Sequence, residues 1–277
     1  MTTETIRLAA VIGSPIAHSR SPALHRHWLE TYGIKGFYVP LEVSQADLRD
    51  ALRTLPRMGF VGANVTIPHK ETVLQLADVV TDRAALIGAA NALIFRPDGK
   101  IHADNTDGYG FIANLRQHVP DWQPQAGPVA LFGAGGAARA VISSLLEGGA
   151  PEIRIANRTR ARAEAMRAEF GAKVVVHDWV QAADMLNGAA TIVNSTALGM
   201  TGKPDLRLPY DAFSPNAVVT DLVYSPLRTA FLEEAAARGC RTVDGLGMLL
   251  HQGAPCFERW FGVRPEVDEA TRAAVLK

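Results

Sequence analysis

The sequence predicts an α/β protein of two domains, and three observations carry that reading. Short apolar runs alternate with helical patterns along the chain, and strands separated by helices build parallel sheets from βαβ units. A glycine loop at 133–138 lies between an apolar run and a helical pattern. A polar, proline-bearing stretch at 121–128 comes just before it and reads as a linker or loop. The 277 residues suit one large domain or two modest ones and can bury a core without disulfide staples.

The elements follow in order. Residues 6–12 read as a strand. A helix over 22–32 has Pro22 in its first turn, after Ser21. Strand 37–43, helix 45–55 and strand 63–67 come next, the last closed by Pro68. Residues 91–95 and 100–103 form a short pair around Pro97-Asp98-Gly99. A helix follows Asp107. Strand 129–132 opens the second series: the glycine loop, a helix from Ala137, strand 152–156, helix 160–170 and strand 173–176. Strands at 191–194 and 217–222 complete it. The expected domains are 1–108 and 109–245, and by pattern alone the helices of 246–277 fit either.

Composition excludes several classes. The 28 basic and 28 acidic side chains balance, without the basic excess of a nucleic-acid binder. At 48% hydrophobic residues the chain is not a disordered one. Cys240 and Cys256 make no disulfide framework and no Cys-x-x-Cys pair. No basic segment followed by a long apolar run opens the chain, so no signal peptide is expected, and no apolar run is long enough for a membrane span. A cytoplasmic protein without membrane or nucleic-acid partners is expected. His25 and His27 point to different helix faces, no His-Glu-x-x-His occurs, and no metal is expected. The absence of Gly-x-Ser-x-Gly disfavours a serine hydrolase.

Gly133-Ala134-Gly135-Gly136-Ala137-Ala138 has the strand–turn–helix context of a dinucleotide fingerprint. The first glycine permits the tight turn. The second lets backbone N–H groups approach a pyrophosphate at the helix N-terminus, and Ala138 is small enough for close packing. The ribose reader falls at the end of the next strand, at Asn157-Arg158-Thr159, with Arg160 and Arg162 behind. A carboxylate there would repel a 2′-phosphate, whereas guanidinium groups pair with it. NADP is therefore expected rather than NAD. Arg160 and Arg162 read equally as a solvated helix start.

Three polar clusters mark the first domain. Ser19 and Ser21, beside a helix N-terminus, suit a carboxylate, though Ser21 also reads as an ordinary helix cap. Strand alternation puts Asn64 and Thr66 on one face, and Lys70 then falls at the start of a helix, the end that cations avoid. Asp104-Asn105-Thr106-Asp107-Gly108 fails the spacing of a calcium loop, and Asp107 reads as an N-cap that can also face a cleft.

Several ordered motifs together resemble the shikimate dehydrogenase family: Ser14 to Pro22, Gly62 to Lys70, Gly88 to Ala92, Asp104 to Gly108, the glycine loop, Asn157 to Thr159, Asn194 to Met200, and Asp244 to Leu249 with Gln252. Ser14 departs from the family's usual Asn, which affects only a local turn. The resemblance implies an N-terminal substrate domain completed by the terminal helices, an NADP domain, and reversible reduction of 3-dehydroshikimate to shikimate. It implies that Ser19 and Ser21 hold the substrate carboxylate. Asn64, Thr66, Asn91, Asp107, Tyr224 and Gln252 would line the pocket, with Lys70 and Asp107 the catalytic pair. Gly133, Ala134, Gly135, Gly136 and Ala137 would bind pyrophosphate, and Asn157, Arg158, Thr159 and Arg162 the 2′-phosphate region. Asp82, Leu222 and Gly245 would line the cofactor. Domain closure, and a monomer or homodimer, are compatible with the family. A quinate, aminoshikimate or broad-specificity enzyme, or a non-catalytic NADP-dependent sensor, are the alternatives.

Overall fold

The structure, a computed structural model, describes residues 6–277. The chain folds as two units, residues 6–110 with 249–277 and residues 111–248. No helix among the described residues is long and apolar enough to cross a membrane.

In the first unit, β1 (Arg7–Gly13), α1 (Ser21–Thr31), β2 (Gly36–Glu42), α2 (Leu48–Thr54) and β3 (Phe60–Val65) alternate as expected. Then come β4 (Val79–Val80), α3 (Asp82–Ile87), β5 (Ala92–Phe95), β6 (Ile101–Asp104) and the start of α4 (Asp107–His118). The six strands form one sheet in the order β2-β1-β3-β5-β6-β4. The expectation of a parallel sheet is corrected here. β2, β1 and β3 are parallel, but β5 runs antiparallel to both β3 and β6. The turn at 96–99 joins β5 to β6 as a hairpin.

One face of this sheet packs Ala10, Ile12, Ala63, Val65 and Leu93 against Leu48 and Leu52 of α2. An aromatic cluster of His25, Trp28, Tyr38, Phe257 and Trp260 is the unit's other packing centre. Gly62 lies beneath it: any Cβ there would collide with the Trp260 indole nitrogen, which donates to the Leu93 carbonyl.

The second unit continues with β7 (Val129–Phe132), α5 (Gly136–Glu147), β8 (Ile153–Ala156), α6 (Arg160–Phe170), β9 (Val174–Val176) and α7 (Ala182–Leu186). After these come β10 (Thr191–Asn194), β11 (Val218–Asp221), α8 (Ala230–Ala237) and β12 (Arg241–Val243). All six strands are parallel, in the order β12-β11-β10-β7-β8-β9, the doubly wound order of a dinucleotide-binding sheet. Both faces are covered, so β7 and β10 are buried at every position. The 121–128 stretch is a loop inside this unit, with a short 3₁₀ turn at Pro124–Ala126. α9 (Leu246–Phe261) and α10 (Glu269–Leu276) end the chain, mostly within the first unit.

Candidate active site

Strand direction gathers the first unit's polar groups at one rim of its sheet. The carboxyl ends of β1 and β3 point the same way. Because β5 is antiparallel to β3, its amino end, with Asn91, arrives at that same rim together with the carboxyl end of β6. Backbone bonds lock the arrivals: Thr66 N–H donates to Ile12, Val65 N–H to Asn91, Asn91 N–H to Asp104, and Ala90 N–H to Lys70. Gly13 permits the close approach, since a Cβ there would lie 2.5 Å from the Thr66 methyl carbon.

Lys70 and Asp107 meet at this rim. The Lys70 Nζ lies 2.5 Å from Asp107 Oδ2, and the side chains are only 14% and 6% exposed. The other carboxylate oxygen, Oδ1, accepts from Asn91 Nδ2 at 2.9 Å. The same amide nitrogen lies 2.9 Å from Gln252 Oε1 and from Thr106 Oγ1. Asn91 Oδ1 accepts from the Thr106 N–H at 2.7 Å. Asn64 is tied in through Nδ2, which donates to the Asn91 carbonyl at 3.0 Å. Lys70, Asp107, Asn64, Asn91 and Gln252 thus form one bonded set. Ser19 and Ser21 stand at the start of α1, where Ser19 Oγ accepts from the Ser21 N–H at 3.3 Å.

Three local readings are corrected. Lys70 does not start an α-helix. It precedes a single 3₁₀ turn, Thr72–Gln75, so its ammonium is held by Asp107 and not exposed to an adverse helix dipole. Ser21 does not cap α1: it is the first helical residue, after Arg20, and makes no capping bond. Asp107 does not cap α4 either. It is the first helical residue, and its own N–H donates to Asn105 Oδ1 at 3.0 Å in an Asx turn, while its carboxylate meets Lys70 and Asn91.

Beside this set lies Asp104, which is 1% exposed. Burial pushes its carboxyl up, but bonds from Arg83 and Thr81 outweigh that and hold it below the usual range. Arg259 is a second cation on it, at 3.1 Å. The cluster fixes the end of β6 from which Asn105, Thr106 and Asp107 follow.

In the second unit the carboxyl ends of the parallel strands form the rim. Gly133 leaves β7 at φ 111°, a backbone state that favours glycine, and a Cβ there would lie 2.6 Å from Ser195 Oγ. A Cβ at Gly135 would meet open space. α5 begins at Gly136 with no side-chain cap, so the first N–H groups of Gly136 and Ala137 remain free for an anion. At the end of β8, Asn157 Nδ2 donates to the Thr159 carbonyl at 2.9 Å. Arg160 pairs with Asp178 and Glu164, as a solvated helix start does. Arg158 and Arg162 are exposed and have no partner among the described residues. The donor set therefore fits a dinucleotide with a 2′-phosphate: backbone N–H groups for one anion and two unpaired guanidiniums for the other. Gly245 and Leu222 pack backbone to backbone, since a Cβ on Gly245 would lie 2.5 Å from the Leu222 carbonyl oxygen. Tyr224 follows in the same unit. Asp82, expected with the cofactor group, is the exposed first residue of α3 in the first unit.

Comparison with known proteins agrees with this geometry. Residues 11–93 match the family described as the shikimate dehydrogenase substrate binding domain. Residues 116–200 match shikimate/quinate 5-dehydrogenase, and 245–276 the shikimate 5′-dehydrogenase C-terminal domain. A shikimate dehydrogenase (NADP(+)) from Cereibacter sphaeroides is 74% identical over 98% of this chain and 97% of its own. The chain belongs to the shikimate dehydrogenase family. Within it, the Thermus thermophilus enzyme solved with NADP(H) and shikimate is 37% identical, with a TM-score of 0.86 over 98% of this chain and 100% of that one. A quinate dehydrogenase from Corynebacterium glutamicum, solved with NAD, is 30% identical, with a TM-score of 0.90 over 98% and 99%.

Two residues beside Asn64 escaped the sequence reading as site residues, and two more entered it only as members of the 104–108 cluster. Tyr38 and Cys256 both touch Asn64, and Asn105 and Thr106 orient Asp107 and Asn91. Cys256 was reachable from Gln252 by helical spacing. Asn105 was reachable because Asn two residues before a helical N–H is an Asx-turn pattern.

Proposed function

We infer that the chain is an NADP-dependent oxidoreductase acting on a CH–OH group, interconverting 3-dehydroshikimate and shikimate for chorismate and aromatic amino acid biosynthesis. The observation that carries the mechanism is the Lys70–Asp107 pair, nearly closed to water and bonded through Asn91 to Gln252.

The bound nicotinamide supplies the hydride in one direction and takes it back in the other. Asp107 Oδ2 holds the Lys70 ammonium, and Asn91 keeps that carboxylate from turning, since its other oxygen is already engaged. Lys70 Nζ polarises the substrate carbonyl and gives its proton to the forming alkoxide; in oxidation the same nitrogen accepts the hydroxyl proton. Ser19 and Ser21 hold the substrate carboxylate. Asn64, Thr66, Gln252 and Tyr224 meet the ring hydroxyls. Gly133 to Ala137 receive the pyrophosphate, Asn157 to Thr159 with Arg162 the 2′-phosphate region, and Asp82, Leu222 and Gly245 the rest of the cofactor. A cytoplasmic setting suits two buried, unpaired thiols.

Likeness to the quinate dehydrogenase supports a second reading, a broader enzyme that also oxidises quinate. Quinate has an extra hydroxyl on the carbon bearing the carboxylate, where serines at 19 and 21 leave no added partner. The test is dinucleotide reduction followed by absorbance, with shikimate and quinate each offered against NADP and NAD. Turnover chiefly of shikimate with NADP is expected. Turnover chiefly of quinate, or chiefly with NAD, would overturn the assignment, and no turnover despite NADP binding would favour a sensor.

A further inference from the structure

We infer that Tyr38 is a positioning residue for substrate recognition: its hydroxyl fixes which end of the Asn64 carboxamide faces which neighbour. This rests on the reading of Asn64 as a substrate contact.

The sheet register explains how a residue two strands away reaches Asn64. Tyr38 pairs with Ala9 of β1, and Ala9 pairs with Gly62 of β3. Registered residues share a face, and Asn64 shares it with Gly62. β2 and β3 are about 9–10 Å apart. Ala9 is small, so the ring can pass over the intervening strand, and Trp260 fills the space above Gly62. The Tyr38 hydroxyl then donates to Asn64 Oδ1 at 2.7 Å. One phenol is thus bonded to the amide assigned to a ring hydroxyl.

The ring itself is held. His25 stacks on it with centroids 3.9 Å apart and planes 2° from parallel, and Trp260 lies at 6.1 Å. Asn64 is 4% exposed and has little choice of partner. Its Nδ2 faces the Asn91 carbonyl, which only accepts, so Oδ1 must be the end turned to Tyr38. Without the hydroxyl, Oδ1 becomes a buried acceptor with no donor, and the amide turns to find one. Burial, with the Cys256 thiol second, keeps the phenol well above the ordinary tyrosine range, so it stays a donor at every working pH.

The test combines Tyr38→Phe, Asn64→Ala and the double variant, each assayed with shikimate and NADP in the intact chain. Tyr38→Phe deletes one oxygen and keeps the stack; circular dichroism checks its fold. The expected result is a rise of about tenfold in the shikimate KM, with kcat within about threefold and the NADP KM unchanged, which is the loss of one hydrogen bond at a buried polar group. On the Asn64→Ala background the same change should add less than about twofold, since its target is gone. A raised shikimate KM in Asn64→Ala beside an unchanged one in Tyr38→Phe would overturn this inference alone. So would effects that multiply fully in the double variant. An unchanged shikimate KM in Asn64→Ala would overturn the reading of Asn64, and this inference with it.

Discussion

In the first unit the groups around Lys70 are buried and already bonded to one another; in the second, Arg158 and Arg162 are exposed and unpartnered. The difference matches the two tasks. A reacting centre gains from donors and charges fixed beforehand, because no reorganisation is then needed as charge develops. Anchoring a phosphate far from the chemistry needs only free donors and a favourable field, which flexible surface guanidiniums supply. On the proposed reading, the first site is built by folding, whereas the second would be completed by its ligand.

The sharpest way to separate the units is acid. In the first, burial depresses His25 from its ordinary value of 6.5 to about 3. A depressed histidine stabilises the fold above pH 6.5 and loses that as pH falls toward 3. Asp104, also held low, loses stability in the same direction. In the second, burial raises Asp221 from 3.8 to about 6 despite bonds from Thr229, Val223 and Asn194. A raised carboxyl contributes stability that is full below its unfolded value and lost as pH rises through 6. Between neutral pH and pH 4 the first unit should therefore lose about 3 kcal/mol through His25 while the second gains about 2 kcal/mol through Asp221. Hydrogen exchange against pH, read separately for strands of the two sheets, checks this. β1 and β3 should open before β7 and β10, and His25→Phe should narrow the gap. The reverse order would break the comparison.

The next effect is on rate. Asp107→Asn keeps the shape of the first site but removes the charge that holds Lys70. We expect kcat to fall about 100-fold with the NADP KM unchanged, since general acid–base groups contribute about 10²–10⁴-fold. A smaller effect belongs to the second site. Arg158→Ala with Arg162→Ala should raise the NADP KM about 30-fold and leave the weaker NAD reaction unmoved, because charge-assisted bonds to the 2′-phosphate are lost. Steady-state titrations of both dinucleotides read this directly. Equal losses for NAD and NADP would mean the arginines do not discriminate.

The second unit was the more legible in sequence because its chemistry is local. Strand, glycine turn and helix lie within 20 residues, and the β8 terminus declares itself by lacking a carboxylate at Asn157. α8 and β12 were passed over although Thr229 caps α8 and Gly239 ends it, a pattern the sequence displays. The first unit depends on distant pairings. Nothing near Ala92 says that β5 runs against β3, and a two-residue strand such as β4 has no period to read. Among the adjacent short polar residues 104–107, composition does not say which one binds the first helical N–H, and Asn105 holds that of Asp107 itself. Nothing near Tyr38 marks it in the sequence, because its partner Asn64 is 26 residues away.

The central claim is that Lys70 carries the proton for a hydride transfer whose other groups are prearranged around it. The most direct test is Lys70→Ala, assayed with shikimate and NADP beside the parent chain. We predict a fall in kcat of about 10³-fold, with NADP affinity, measured separately by titration, unchanged. A kcat within about threefold of the parent would contradict the assignment.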